Sequence, residues 1–533
     1  MDGVKFTSVV VSLLFYSTVF SQFGVLDPSF GDNGKVTTVF GTENSLLYAL
    51  AIQSDGKIIA GGTFGFEGLS RLAFSRYNLD GSLDVSFGTE GKSVITSFGI
   101  GLNLFSMVLQ TDGKIVVVCD TYNPLLSRKE YYFARLNNDG SVDNSFGTQG
   151  LLAVPNGTFV SAIKSFAIHP DGKITAVGYT GDLSVSTEIL VIQFNSDGSL
   201  NSSFGENGIQ NIGFRVLDSA TAIEILSDGK ILVAGNSTGE WDDYYGYDYD
   251  FIIARFNANG TLDTAFGENG KTIVGIANKS EYLKYLKVQS DGKIMILGER
   301  NSEYPYIIEH VRFNSDGQPD TSFSSNGVVV TEITDDMASY PSSTNILAAT
   351  QQPDGKIIAS GYYSPGTACC SAVRMMRFLS NGDLDSTFGV NGIVSQISTI
   401  GQAYSIALQP DGKIVVSGSG GSGNPVHFDF IMYRYTSGLN LSASDFNSDA
   451  KISVYPNPIN DLLNIDFKLT EDSNINIDLF DFSGRKVETL LDKQRITSGN
   501  HSINFQLPNT MSKGIYFLNI MNNSESKIVK LVK

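Results

Sequence analysis

The sequence predicts an all-β chain, a seven-bladed β-propeller of four-stranded blades followed by a small immunoglobulin-like β-sandwich. The first observation behind this prediction is an Asp-Gly-Lys phrase that follows a short apolar run and recurs every 57 to 63 residues. Asp and Gly tolerate the backbone of tight turns, so this phrase between two apolar runs predicts a β-hairpin. The aspartates of the phrase are Asp55, Asp112, Asp171, Asp228, Asp291, Asp354 and Asp411. A nearly constant period predicts one β-unit repeated seven times.

Two further landmarks recur in each period. One is a Phe-Gly turn, and the other is a strand that ends in Arg followed by an apolar or aromatic residue. The turn begins at Phe30, Phe87, Phe146, Phe204, Phe266 and Phe388, with Phe323-Ser324 as the exception. The arginines are Arg76, Arg135, Arg255, Arg312, Arg377 and Arg434, with Gln193 at that place in the third period. Together the landmarks divide each period in the same way.

One period is typical of four strands, which in the first repeat lie at about 35–40, 47–53, 57–62 and 72–77. The second and third strands are nearly continuous apolar runs such as Ile115–Val118, and such runs indicate strands covered on both faces. Four-stranded units covered on both faces are what the radial packing of propeller blades produces. The seven hairpins, seven Phe turns and seven closing strands therefore predict seven blades.

The two ends of the repeat region predict how the ring closes. The chain begins its first period with the turn Leu26–Gly31, which elsewhere follows a fourth strand, whereas the last fourth strand, 428–435, has no such turn after it. We therefore expect the N-terminal turn and the strand at 35–40 to dock beside the final blade, which would leave no free sheet edge.

The composition and the N-terminal sequence restrict the class of protein. The chain has 533 residues and a formal net charge of −18, so neither nucleic acid nor an anionic membrane is an expected partner. Residues 1–21 have the pattern of a secretory signal peptide, with cleavage before Gln22 and no transmembrane segment afterwards; a short membrane anchor is the alternative. The three cysteines (Cys119, Cys369 and Cys370) do not form a disulfide framework.

The repeat also resembles a known family. The phrase Asn78-Leu79-Asp80-Gly81-Ser82-Leu83-Asp84 with the following Phe87-Gly88, and the Gln-x-Asp-Gly-Lys-Ile phrase, are similar to the delta-60 repeat of bacterial secreted and surface proteins. The similarity covers about residues 25–437 and recurs in every period. It implies a secreted or surface protein and says little about activity.

After the repeats, residues 438–449 have the Ser- and Asn-rich composition of a linker, and residues 450–533 contain short alternating strands typical of an antiparallel sandwich. The predicted organisation is thus a signal peptide at 1–21, a propeller at 22–437, a linker at 438–449 and a C-terminal domain at 450–533.

This last domain resembles the type A C-terminal sorting domain of the type IX secretion system of Bacteroidetes. The matching residues are Tyr455, Pro456, Asn457, Pro458, Gly484, Gly514 and Tyr516, together with the terminal 527–533. The resemblance implies the type IX machinery as a partner and a secreted or outer-membrane surface location. A generic immunoglobulin-like module is the alternative.

Few residues have the pattern of a catalytic or metal site. The repeated Asn-x-Asp-Gly-x-x-Asp, as at Asn78, Asp80 and Asp84, looks superficially like a calcium loop, but it is short and its acids are replaced by Asn201 and Asn259 in other copies. A calcium ion needs six or more oxygen ligands, so a turn is the better interpretation. The repeated arginine is expected to be a structural tie. We expect no catalytic residue, metal or cofactor, although acids such as Asp242 and Asp335 leave enzymatic activity open.

The topology of the predicted blade assigns its loops to two faces. The Asp-Gly-Lys hairpins and Phe-Gly links form one, the constant face, and the loops between strands 1–2 and 3–4 form the opposite, variable face. Variable loops on a rigid scaffold are where binding concentrates, and Tyr and Trp are favoured contact residues. The aromatic residues predicted to bind a ligand in the 3–4 loops are Phe64, Phe66, Tyr122, Trp241, Tyr244, Tyr245, Tyr304, Tyr306, Tyr362 and Tyr363.

The sequence therefore predicts a non-catalytic, adhesin-like binding module with a glycan or a surface protein as its ligand. Two alternatives stay open. These aromatic residues could only pack the loop tips, and the chain could be a secreted hydrolase or lyase with an active site in the central channel.

Overall fold

The computed structural model of the protein describes most of the repeat region and most of the C-terminal domain. The described residues are 23–65, 70–96, 98, 101–155, 160–239, 248–276, 280–300, 306–324, 326–333, 343–364, 372–396, 400–422, 427–438, 453–456, 458–459, 462–469, 472–481, 486–507, 511–512, 514–521 and 526–533. The predicted signal peptide and most of the predicted linker lie outside these ranges.

Within these ranges the repeat region forms seven four-stranded antiparallel blades, which confirms the predicted propeller. A single parallel bridge between Thr187 and Leu217 joins the third and fourth blades into one eight-stranded sheet. The strands of the first three blades follow β1 (Lys35–Thr38) in the chain. They are β2 (Ser45–Ile52), β3 (Ile58–Phe64), β4 (Arg71–Tyr77), β5 (Lys92–Ile95), β6 (Asn103–Leu109), β7 (Ile115–Asn123), β8 (Arg128–Leu136), β9 (Leu151–Ala153), β10 (Val160–Ile168), β11 (Ile174–Asp182), β12 (Ser186–Phe194) and β13 (Ile209–Ile212).

The remaining four blades continue the same order, four strands to a blade. Their strands are β14 (Leu217–Ile225), β15 (Ile231–Thr238), β16 (Tyr249–Phe256), β17 (Lys271–Val274), β18 (Glu281–Val288), β19 (Ile294–Arg300), β20 (Tyr306–Phe313), β21 (Val328–Ile333), β22 (Ser343–Gln351), β23 (Ile357–Ser364), β24 (Ala372–Phe378), β25 (Ile393–Gln396), β26 (Ile400–Leu408), β27 (Ile414–Ser422) and β28 (His427–Tyr435). The seventh blade takes β1 as its fourth strand.

Blades and sequence repeats are out of phase by one strand. The first strand of each period does not join the three strands that follow it, because it pairs with the last strand of the preceding period, as β5 does with β4. The four strands of one period therefore belong to two neighbouring sheets. The first strand of every sheet (β2 in the first blade) contacts the first strands of both neighbouring blades, so these seven inner strands surround the channel.

The predicted ring closure is confirmed. Strand β1 pairs antiparallel with β28, with Lys35 opposite Tyr433. The segment before β1 forms a turn together with the residues that follow β28, at the other end of the repeat region. In this turn the Gly24 amide donates to the Thr436 carbonyl at 2.8 Å, and the Asp27 amide donates to the Arg434 carbonyl at 2.8 Å. In the first blade, Gly81 and Asp84 make the same two bonds to Asn78 and Arg76 within one continuous loop.

The core of the propeller lies between blades. Every residue of β3 is buried, as the continuous apolar run predicts. Its side chains join those of neighbouring blades, so that Leu47 and Ile58 of the first blade share a cluster with Val415 and Phe430 of the seventh. This packing holds the inner strands in register and fixes the geometry of the channel.

The C-terminal domain consists of two antiparallel sheets. One contains β29 (Ser453–Tyr455), β30 (Leu462–Leu469) and β33 (Gly499–Gln506); the other contains β31 (Ser473–Asp481), β32 (Lys486–Ile496), β34 (Ile515–Met521) and β35 (Ser526–Val532). Leu463 and Ile465 from the first sheet and Leu479, Leu518 and Leu531 from the second form one buried core. The immunoglobulin-like topology of this domain stays a prediction.

Candidate functional site

The Asp-Gly-Lys phrase is a turn device on the constant face. In the first blade the carboxylate of Asp55 accepts a hydrogen bond from the Lys57 amide at 3.1 Å, and Gly56 has a φ of 85°. A positive φ favours glycine because it has no Cβ. The same amide–carboxylate bond recurs in all seven hairpins, at 3.1 or 3.2 Å. These carboxylates therefore serve the backbone.

The repeated arginine ties neighbouring blades together, as expected. Arg76 Nε donates to Asp84 Oδ2 at 2.8 Å, and its Nη1 donates to the carbonyl of Asn138 in the next blade at 2.6 Å. Lys57 Nζ reaches the same Asp84 oxygen at 2.8 Å, and the guanidinium lies over the Phe87 ring at 5.0 Å. Burial alone would raise the pKa of Asp84, but the bonds from Lys57 and Ser86 and the Arg76 charge hold that pKa well below its usual value.

The turn interpretation of the Asn-x-Asp-Gly-x-x-Asp pattern is confirmed as well. Asp80 Oδ1 accepts from the Ser82 amide at 2.9 Å and from its hydroxyl at 2.7 Å, while Asp84 is occupied by Arg76 and Lys57. Across the described residues, no group of three or more His, Cys, Asp or Glu side chains is arranged to hold a metal ion.

The third blade replaces the charged pair by neutral partners that bond to one another within the blade. Gln193 replaces the arginine, and Asn201 replaces the aspartate and donates to Gln193 Oε1 at 2.6 Å. Gln193 Nε2 donates to Thr175 Oγ1 at 2.9 Å, and His169 also contacts this hydroxyl, at 2.8 Å. Thr175 stands where the other six blades have an apolar residue. The third blade thus lacks both the positive charge of the arginine and the negative charge of the aspartate, so neither charge is left without a partner.

On the variable face, the structure describes five of the ten predicted aromatic residues. Phe64 and Tyr363 are buried, each beneath an arginine at 5.0 Å. Tyr306 donates its hydroxyl to Glu299, and burial and this carboxylate raise the pKa of Tyr306. Tyr362 is half-buried, and Tyr122 is 61% exposed. The structure does not bring these five side chains together. Phe66, Trp241, Tyr244, Tyr245 and Tyr304 lie outside the described residues.

A set of residues that the sequence did not single out lies around the channel. In each described inner strand, one residue at an equivalent position has no partner in the register with the second strand, which is a β-bulge; β26 has a second such residue, Gly401. Bulges re-aim a side chain, and they are frequent beside functional sites. We call this set the bulge ring: Tyr48, Phe105, Lys164, Thr221, Lys284, Leu347 and Tyr404. Each lies seven positions before the aspartate of an Asp-Gly-Lys phrase, so a constant offset in the sequence could have revealed the set.

Aromatic and charged groups meet at the bulge ring in blades 7, 1, 2 and 3. Tyr48 and Tyr404 contact edge to face at 5.0 Å, and Phe105 contacts Tyr131 at 6.0 Å. Lys164 lies over the Tyr179 ring at 5.7 Å. The inner strands therefore place aromatic rings from two neighbouring blades in direct contact across the blade boundary.

Electrostatics within this cluster involve Asp120, which pairs with Lys129 at 2.8 Å. Burial, the neighbouring Tyr404 and the Asp120 charge raise the pKa of Tyr48 to about 12, and burial and Asp120 raise the pKa of Tyr131 to about 12. Both hydroxyls are thus protonated and able to donate at any physiological pH. Burial and Lys129 lower the pKa of Lys164, and Asp120 offsets part of this effect.

Three of the predicted sorting residues are held by hydrogen bonds in the C-terminal domain. Tyr455, half-exposed before a cis peptide bond to Pro456, donates its hydroxyl to Asp466 at 3.0 Å. Tyr516 is buried and donates to the Ser512 carbonyl at 2.8 Å. Gly514 exchanges backbone bonds with Lys533. Pro458 is also described, whereas Asn457 and Gly484 lie outside the described residues. Their role in sorting stays a prediction.

Comparison with known structures finds proteins of low sequence identity, among them a β-propeller domain. The β-propeller domain of the Trilobed protease from Pyrococcus furiosus is 12% identical, covers 75% of this chain and 97% of its own, and has a TM-score of 0.39. Pyrococcus horikoshii acylaminoacyl peptidase is 11% identical, with coverages of 81% and 59% and a TM-score of 0.36. Drosophila Semaphorin 1a, extracellular domains 1-2, is 9% identical, with coverages of 90% and 89% and a TM-score of 0.30.

Comparison with known sequences finds no match among curated proteins but matches two family profiles. The secretion system C-terminal sorting domain matches residues 453–533. The DUF5122 β-propeller, a domain of unknown function, matches 53–87, 110–146, 169–204, 226–266, 289–323, 352–388 and 409–438. Across the described residues, no helix has the length and apolar character needed to cross a membrane. The sorting domain marks proteins that the type IX secretion system delivers to the cell surface or the medium. The chain is therefore a delta-60-like DUF5122 β-propeller protein with a C-terminal sorting domain.

Proposed function

We propose that the exported propeller is a non-catalytic binding module of the cell surface or the medium, and that its ligand docks on the variable face. The observation that carries this proposal is the contrast between the two faces. On the constant face, the recurring carboxylates and arginines are engaged by the chain itself, in the hairpin bond of Asp55 and the tie of Arg76 and Asp84. Repeated, internally satisfied groups are what a scaffold requires.

The variable face differs from blade to blade. Its loops vary in length and composition, and exposed Tyr122 lies at the end of a strand on this side. The predicted residues Trp241, Tyr244 and Tyr245 lie in the sequence between β15 and β16 and outside the described residues. Rigid aromatic side chains give large contact areas at low entropic cost, so such loops suit recognition of a glycan or a surface protein.

Binding of the purified full-length protein to a glycan array and to a panel of surface proteins tests the proposal. We expect a bound ligand whose signal falls about tenfold or more in the variant Trp241→Ala/Tyr245→Ala, as loss of central aromatic contacts does at other interfaces. Val85→Ala is the matched control, because Val85 is a 76% exposed apolar side chain on the constant face. Binding that persists in the aromatic variant but is lost in Val85→Ala would place the site on the wrong face.

A further inference from the structure

The bulge ring combines a constant backbone device with variable side chains. In the first blade the register skips from Leu47 to Ala49 and leaves Tyr48 without a partner on β3. Because a bulged residue has no cross-strand neighbour to match, its chemistry is free to differ between blades. The residue before it is Leu, Ile or Ala in every blade, whereas the bulged residues include aromatic, cationic, hydroxyl and aliphatic side chains. The residue before the bulge is thus always aliphatic, whereas the bulged residue itself varies in chemistry.

The ring has an aromatic arc. Tyr404, Tyr48 and Phe105 come from blades 7, 1 and 2, which are successive around the channel. All three are partly accessible, and the two tyrosine rings contact each other across the blade boundary. The face of one tyrosine ring can stack against a sugar ring, and the protonated hydroxyl of the other can donate a hydrogen bond to it.

A cation follows the aromatic arc directly. Lys164, in blade 3, is exposed, and among the described residues no carboxylate lies within ion-pair distance of its ammonium group. The other lysine of the ring, Lys284, is paired with Glu299 at 2.8 Å, and nearby Lys129 is paired with Asp120. Lys164 is thus available for an anionic group of a ligand, in a protein whose net charge is −18.

We propose that the aromatic arc and Lys164 form a binding site for an acidic oligosaccharide, with a sugar ring stacked on Tyr48, a hydrogen bond to the sugar from the Tyr404 hydroxyl, and a sugar carboxylate bound by the Lys164 ammonium. This proposal rests on the proposed binding function, adds a site in the channel to the one proposed on the variable face, and names the ligand class of the channel site. It locates the ligand in the channel mouth, in residues distinct from the aromatic 3–4 loops. The acidic group, rather than the sugar alone, is what distinguishes this ligand from a neutral glycan.

Titration calorimetry of the full-length protein with tetragalacturonate, and with neutral cellotetraose as the comparison, tests the site. We expect tetragalacturonate to bind more tightly than cellotetraose and to weaken as salt rises, because the ion pair is screened. Lys164→Gln should reduce the affinity for tetragalacturonate roughly tenfold, since a charge-assisted bond is lost. Tyr48→Leu, which keeps an apolar side chain in the core, should reduce it by a similar factor.

Leu347→Ala is the matched control, because Leu347 occupies the equivalent bulge in blade 6 and is 37% exposed. Its affinity should stay within about twofold of the parent protein, a small fraction of the tenfold effect. Thermal melts of every variant establish that the propeller is intact. Tetragalacturonate binding that is unchanged by Lys164→Gln, or that is no tighter than cellotetraose binding, overturns the channel site and leaves the binding function standing. Absence of binding to either saccharide also overturns this inference, while the array and surface-protein panel continue to decide the broader function.

Discussion

Replacing Asp84 by Asn should destabilise the propeller by about 3 kcal/mol, because Asp84 is the shared acceptor of a buried tie. The side chains of Arg76 and Asp84 are 8% and 9% exposed. Removing one charge of a buried pair costs roughly 3–5 kcal/mol, since the other charge is left uncompensated. We expect the lower end, because Arg76 keeps its bonds to the Asn138 carbonyl and the Ser86 hydroxyl, and Lys57 is partly exposed and can turn to water.

Urea unfolding followed by fluorescence and circular dichroism measures this change in the free energy of unfolding. Asp80→Asn is the control. Asp80 lies on the exposed side of the same turn, where an amide oxygen can still accept from Ser82, so the expected change is below about 0.5 kcal/mol. Equal effects of Asp84→Asn and Asp80→Asn would refute the tie as a source of stability.

The third blade supplies a rescue for the same experiment. There Thr175, Gln193 and Asn201 bond to one another as neutral partners within the blade. The triple variant Ile59→Thr/Arg76→Gln/Asp84→Asn installs the corresponding residues in the first blade and should recover at least half of the lost stability. A triple variant no more stable than Asp84→Asn alone would show that the neutral tie depends on its own blade.

Three further predictions concern the seam and a buried thiol. Asp27→Asn removes the carboxylate that joins the N-terminal segment to Arg434, and it should lower the free energy of unfolding in urea by about 2–4 kcal/mol. Its control, Asp411→Asn, removes an exposed carboxylate near the same Lys413 and should lower it by less than about 1 kcal/mol. Burial raises the pKa of Asp27, but bonds from Ser29 and Lys413 and the Arg434 charge bring it to about 2. This folded pKa is below the unfolded one, so the contribution of Asp27 to stability should be constant above about pH 5 and decline between roughly pH 4 and 2. The melting temperature of the parent protein should therefore fall more steeply between pH 4 and 2 than that of Asp27→Asn, and equal slopes would contradict this prediction. In a Cys369→Ser/Cys370→Ser background, buried Cys119, whose pKa is raised by burial and then by Asp120, should react with a thiol reagent only after unfolding.

The sequence allowed the blade number, the loop faces and the ring closure to be predicted because each depends on local patterns that recur. The pairing of the first strand in the later periods was different. Lys92–Ile95 has the same local pattern whether it joins the strand before it or the strands after it, and it pairs with β4 before it. Pairing depends on the assembled ring, so the offset between repeat and blade is visible only in the structure.

The candidate site residues also divide into those that local sequence patterns predict and those that depend on strand pairing. Phe64 and Tyr363 follow the apolar runs of their third strands and look like loop residues in the sequence, but the strands extend to include them and arginines cover their rings. The bulge ring was overlooked because a bulge is a defect of register between two strands, visible only when both are paired. Its constant offset from Asp55 and its equivalents is the one trace that it leaves in the sequence.

Closure of the ring links these observations to stability. An open array of repeats has two exposed ends, and its stability is approximately a sum of repeat and neighbour terms, so the array can open from either end. Here the ends are joined twice: Lys35–Thr38 pairs with the final blade, and the Phe23 carbonyl accepts from the Gly389 amide in the sixth blade at 2.7 Å. The N-terminal segment thus bridges two blades, as the continuous loops do elsewhere. Because the inner strands depend on both neighbours for their packing, opening this seam would also displace the adjoining Tyr404 and Tyr48, which lie on its two sides. The closing segment is therefore a requirement of the channel geometry as well as of the fold.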